Sequence, residues 1–243
     1  MSPLFLSKKI RLNEIFLLSL HPNFDSMQMY VETMTFDEVF TLVKKDILNV
    51  VRNKVDYCVK KHLHSIKKMK GEFLRFLPVE IFTSHETRIN YCICPFTYGW
   101  KDYKKNTLGM LTFAYFYKDY GQYVLCLRDA YPSNYVVYTP HFFDRYQERF
   151  LQDPTLDRIS VMTKYFRSNR ANFINVVPDD KRGKTIYAVT MDGVCFADDN
   201  LNGNYIMKTF VTYEMLFTNQ VDIGEEGKEA ILKNYEEFKN NVK

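Results

Sequence analysis

Residues 108–139 read LGMLTFAYFYKDYGQYVLCLRDAYPSNYVVYT, and the fold follows from how this stretch is parsed. Three runs rich in aromatic and β-branched side chains, 108–117, 122–129 and 135–139, are separated by Lys118-Asp119-Tyr120-Gly121 and by Tyr131-Pro132-Ser133-Asn134. Gly, Pro, Asn and Asp at such breaks form turns, and runs of this length and composition are strands. The first break is a hairpin signal and the second a turn between two strands. Upstream, 81–83 and 89–96 have the same texture. Downstream come 185–191, 194–197 and 205–213, with Asp192-Gly193 as a two-residue hairpin signal. The polar stretch from Asn169 to Lys184, containing Pro178-Asp179-Asp180, reads as a loop.

Helical periodicity flanks and interrupts these strands. From Phe36 to Phe73 the apolar residues, among them Val39, Val43, Ile47, Val51, Val55, Cys58, Val59, Leu63 and Ile66, recur at three- and four-residue steps. This predicts one long helix ending near Gly71, with Thr35 as its cap and Asp37 and Glu38 in the first turn. Thr139-Pro140 opens a second helix, the threonine capping and the proline at the first helical position, which runs to about Leu151. Asp153-Pro154 stops it, and 155–167 reads as a third helix with Ile159, Met162 and Phe166 on one stripe. A last helix is expected over 225–242. The fold class is therefore α+β: a long basic N-terminal helix, then a mostly antiparallel sheet with helices packed on one face. Residues 1–78 read as an N-terminal helical region and 79–243 as an α+β domain.

The 243 residues are 46% hydrophobic with only nine Gly and eight Pro, which excludes collagen-like, linker-dominated and disordered classes. The net charge of +4 is too small to imply nucleic-acid binding by itself. Its distribution is more informative, because residues 41–76 hold ten Lys or Arg against Asp46, Asp56 and Glu72. That +7 cluster on one helix, with Lys60, Lys61, Lys67 and Lys68, reads either as a solubilising face or as a surface for RNA, DNA or an acidic partner. Tyr98, Trp100 and Tyr103, interleaved with Lys101, Lys104 and Lys105, form a second basic and aromatic cluster, expected in a loop. Five scattered cysteines predict no disulfide framework and fit a reducing cytoplasm. The apolar run 15–20 is too short for a span, so neither a signal peptide nor a membrane segment is expected. Six Ala beside abundant Lys, Asn, Tyr and Phe is the bias of AT-rich coding, as in many bacterial and phage genomes.

Residues 139–149, Thr-Pro-His-Phe-Phe-Asp-Arg-Tyr-Gln-Glu-Arg, carry the sharpest chemical signal. On an ideal helix His141, Arg145, Glu148 and Arg149 share a face. An imidazole can move protons near neutral pH, and guanidinium groups bind phosphate oxygens. That set suits metal-free cleavage of an RNA phosphodiester. The other reading is a solvated face laced by weak ion pairs.

The pattern His-x-x-x-Arg-x-x-Glu-Arg on a helix, a second helix, and a later small sheet with Lys208-Thr209-Phe210 on a late strand resembles the RelE, barnase, EndoU and colicin-type ribonuclease-toxin superfamily. The resemblance covers 138–220, through His141 to Arg149, 185–191 with Asp192-Gly193, and Lys208 to Phe210. It implies a metal-independent endoribonuclease of toxin or defence type in which His141 is the acid–base group and Arg145 and Arg149 bind phosphate. Thr209 supplies a hydroxyl and Lys208 a further cation. About 135 upstream residues fall outside it. The competing expectation is a non-catalytic structural or interaction protein of a bacterium or phage whose basic helix docks a partner, and a protein inhibitor would accompany a toxin. No cofactor and no metal are expected: His62 and His64 point to different faces of a helix. Cys92 and Cys94 share a strand face with only His85 nearby. Asp198-Asp199-Asn200 reads as a turn.

Overall fold

The computed structural model describes residues 28–69, 73–104, 108–127, 133–170, 173–179, 183–216, 225 and 227–233. The structure is α+β, and it falls into two compact units that divide between Asp119 and Tyr120, inside the stretch the sequence reads as one domain. No helix among the described residues is long and apolar enough to cross a membrane.

In the N-terminal unit, α1 (Phe36–Asp46) starts at Thr35 through a reciprocal cap. The Thr35 hydroxyl accepts from Glu38 N at 3.3 Å, and the Glu38 carboxylate accepts from Thr35 N at 2.7 Å. The helix continues through a π-helical turn (Ile47–Val51) into α2 (Arg52–Lys68). The expected single helix is thus three joined segments, and Met69 leaves it in an extended conformation. Four strands follow: β1 (Arg75–Phe76), β2 (Glu80–Thr83), β3 (Asn90–Thr97) and β4 (Gly109–Lys118). β3 pairs antiparallel with each of the other three, and its residues 91–95 are buried throughout. The segment around Trp100, expected as a loop, is a short helix, α3 (Trp100–Lys104). Val39, Leu42, Val43, Cys58 and Ile66 supply the helical side of the core, and Tyr91, Ile93 and Phe116 supply the sheet side.

The C-terminal unit contains β5 (Gly121–Leu127), β6 (Tyr135–Tyr138), α4 (Pro140–Tyr146), a π-helical turn (Gln147–Leu151) and α5 (Arg158–Ser168). β7 (Phe173–Asp179), β8 (Gly183–Val189), β9 (Val194–Asp199) and β10 (Tyr205–Val211) complete it. The strands are ordered β5-β6-β10-β9-β8-β7, all antiparallel except β6 with β10. Two expectations are corrected here. The supposed loop from Asn169 to Lys184 holds β7, in register with β8 from Phe173↔Val189 to Asp179↔Gly183. The third helix, expected from residue 155, begins at Arg158, where Asp157 caps it by accepting from Ser160 N at 2.9 Å.

α4 and α5 cover one face of this sheet through edge-to-face packing of buried rings: Tyr138, Phe142, Phe143, Tyr146, Tyr165 and Phe210. Such pairs contribute beyond their buried area, about 0.5–1.5 kcal/mol each. Ile231, in the helical residues 227–233, packs with Val189 and Val194 on the other face. Gly227 permits that approach, since a Cβ there would lie 2.7 Å from Val189 Cβ. The rest of the helix expected to Val242 lies outside the described residues.

Candidate functional site

The first turn of α4 is fixed by β10. Thr139 N donates to Met207 O at 3.1 Å, and its hydroxyl donates to Lys208 O at 3.3 Å while accepting from Phe142 N at 3.2 Å. β10 is irregular at that point: Met207 pairs with Ala197 and Thr209 with Phe196, so Lys208 is an extra residue bulged from the ladder. A bulge re-aims the side chains around it. On the opposite side, Gly121 in the left-handed region (φ +116°) starts β5 within reach of Pro140. These elements enclose a cleft of about 340 Å³ whose wall includes His141, Lys208, Tyr120, Tyr123 and Asp144.

Within and beside the cleft each charge has a partner. Arg145 Nε donates to His141 Nε2 at 3.3 Å, which places the ring proton of a neutral imidazole on Nδ1. Arg145 Nη1 also holds Glu148 Oε2 at 2.5 Å. Lys208 Nζ lies 3.0 Å from Asp198 Oδ2, and Asp144 is paired with Arg158, which also donates to Pro140 O at 3.4 Å. His141 and Asp144 are exposed and Arg145 is half-buried.

The structure brings together His141, Arg145, Glu148 and Lys208, and it separates Arg149 and Thr209 from them. Arg149 leaves the expected ladder because α4 changes to π geometry after Tyr146, with Gln152 N bonded to Gln147 O at 2.8 Å. The wider turn shifts every following residue around the axis. Arg149 instead donates to Phe210 O at 2.6 Å and fastens the helix to β10. Thr209 is displaced by the bulge. Its partner Phe196 belongs to the cluster with Val189, Val194 and Ile231, whereas the next pair, Phe210 and Cys195, faces the rings of α4 and α5. Thr209 therefore lies on the sheet face opposite His141.

Tyr120, Tyr123 and Asp144 were missed as cleft residues by sequence reasoning. Only Asp144 carried a signal, as a neighbour of His141 on one helix. The tyrosines reach the cleft through strand neighbours that no local pattern reveals. A second polar centre was also missed: Asp192 accepts from Tyr146 Oη at 2.7 Å, Ser168 Oγ at 2.6 Å and Asn169 Nδ2 at 2.8 Å. It ties the β8–β9 turn to α4 and α5. Burial and then the hydrogen bond to Asp192 hold the Tyr146 phenol far above its ordinary range, so the group stays a donor.

The basic residues proposed for substrate lie in the N-terminal unit on α2. Lys60, Lys61, Lys67 and Lys68 are all exposed. Lys61 pairs with Glu80, whose pKa falls below the usual glutamate range chiefly through that hydrogen bond. His62 faces the same carboxylate at 3.5 Å. Cys92 and Cys94 are buried with their sulfurs 3.8 Å apart, and all five cysteines are free. Among the described residues no group of three or more His, Cys, Asp or Glu side chains is placed to hold a metal ion. No family model matches this chain, and neither a curated protein nor a solved structure matches it.

Proposed function

We propose that this chain is a metal-independent endoribonuclease of toxin or defence type, acting on RNA in a reducing cytoplasm from the α4–β10 cleft. The observation that carries the reading is the meeting of His141 and Lys208 in one cleft wall, with Arg145 on the imidazole. An exposed imidazole beside two cations supplies a proton acceptor and a counter-charge for a phosphoryl group. In the reaction the nucleotide's 2′-oxygen forms a bond to the adjacent phosphorus and the P–O5′ bond breaks. The 2′-hydroxyl proton passes to His141 once Arg145 turns from Nε2 to the phosphate. Lys208 offsets charge on the non-bridging oxygens, and a phenol of Tyr120 or Tyr123 protonates the departing 5′-oxygen. Glu148 positions Arg145.

The test is cleavage of a mixed RNA pool in excess EDTA by the parent, His141→Ala and Lys208→Ala, each checked for parental folding. Removing an acid–base group costs about 10²- to 10⁴-fold in rate, so the His141 variant should be nearly inactive. A parent without activity, or a His141 variant at the parental rate, overturns the reading. A second, non-catalytic reading draws on Arg149 and Arg158, which fasten α4 to Phe210 O and Pro140 O. On that reading the helix is a rigid docking ridge for a protein partner, and no preparation cleaves RNA.

A further inference from the structure

In the N-terminal unit the two basic clusters seen in the sequence converge. Gly99 (φ +128°) allows it: a Cβ there would lie 2.7 Å from Met69 O, so only glycine lets the start of α3 rest against the end of α2. Thr97 holds the turn, its hydroxyl accepting from Gly99 N at 2.9 Å. α3 then lays Trp100 on Tyr103, with ring centroids 4.8 Å apart and planes 11° from parallel. Lys67 from α2 and Lys104 from α3 sit over the indole at 5.4 and 5.7 Å. Lys68 and Lys101 are exposed on the same two helices, and α2 carries six Lys or Arg against one Asp.

We infer that Trp100 and Tyr103, with Lys67 and Lys104, form a stacking platform for single-stranded nucleic acid. A half-buried stacked aromatic pair with ammonium groups at its face matches a strand that alternates flat bases with phosphates. A base takes the place of the ammonium groups over the indole, and these move to the flanking phosphates. An acidic peptide would use the lysines and leave the rings unused. This inference is independent of cleavage at the His141 cleft and holds even if that cleft is inert.

Trp100 is the single tryptophan of the chain, so its emission reports on this site alone. The full-length protein is titrated with a dT12 oligonucleotide, which lacks the 2′-hydroxyl and stays intact whatever the cleft does. The expected result is saturable quenching, with an affinity whose logarithm falls with log salt at a slope of about −3 for four phosphate contacts. Lys67→Ala/Lys104→Ala, titrated against its own unbound emission, should show an affinity at least tenfold lower. With labelled dT12, Trp100→Ala should weaken binding about 5- to 150-fold and Trp100→Phe less, all variants melting as the parent does. Absence of quenching, or the same quenching by poly-glutamate or by anionic vesicles, overturns the proposal.

Discussion

Asp46 offers the most quantitative check on the N-terminal unit. It is fully buried where α1 passes into its π-helical turn, and it accepts hydrogen bonds from Ser84 Oγ at 2.9 Å, Tyr91 Oη at 2.8 Å and the Thr87 hydroxyl. The same hydroxyls hold the β2–β3 connection, since Ser84 Oγ accepts from Thr87 N and Thr87 Oγ1 from Ile89 N, each at 3.3 Å. Asp46→Ala removes the shared acceptor and leaves three buried donors. At about 1–1.5 kcal/mol per bond the loss is about 3–4.5 kcal/mol, reduced somewhat because no carboxyl then has to be desolvated. Asp46→Asn keeps one acceptor oxygen and should cost about 1–2 kcal/mol. Urea denaturation followed by Trp100 emission reads this unit directly. With a slope of about 1.5 kcal/mol per molar, the Ala midpoint should drop by about 2 M. An Ala variant within about 1 kcal/mol of the parent, or an Asn variant as unstable as Ala, would show that Asp46 is not the shared acceptor of these hydroxyls.

Two further perturbations probe other parts of the structure. Tyr146→Phe removes the phenol that donates to Asp192 and should cost about 1–2 kcal/mol, seen as faster hydrogen exchange at Thr190 N, which bonds to Gly193 O across the turn; unchanged exchange would count against a clamp at Asp192. The Lys61–Glu80 pair should contribute over a bounded pH window. Glu80 is lowered, so its share is present above about pH 4.3 and lost as pH falls through the folded value; Lys61 is raised, so its share is present below about pH 10.4 and lost as pH rises through the folded value. The difference in urea midpoint between parent and Lys61→Met should therefore close at both extremes, and a difference constant from pH 3 to 8 would contradict it.

Features set by neighbouring residues were legible in the sequence. Thr35 with Glu38, and Thr139 with Pro140, announce their helix starts because capping is a contact across three residues. The strands between 80 and 138 show in their aromatic and β-branched runs. What escaped depends on contacts distant in sequence or on a change of helical pitch. β7 is flanked by polar residues that mask Phe173-Ile174-Asn175-Val176-Val177, and its pairing with β8 makes it a strand. α3 forms where Gly99 meets Met69, which no local pattern encodes. At the candidate site, His141 and Arg145 followed ideal helical spacing as expected. Arg149 did not, because of the π-helical turn after Tyr146, and Thr209 did not, because the bulge at Lys208 reverses the faces of β10.

The most direct measurement on the central claim is the chemistry of the product ends. The parent is incubated in EDTA with a DNA oligonucleotide carrying one ribonucleotide, and the fragments are weighed by mass spectrometry. Attack by a 2′-oxygen under His141 and Lys208 gives scission only 3′ to the ribose, with a 2′,3′-cyclic phosphate on one fragment and a 5′-hydroxyl on the other, and the His141→Ala protein gives neither. Scission at deoxyribose positions, a 5′-phosphate product, or an intact strand would contradict the account.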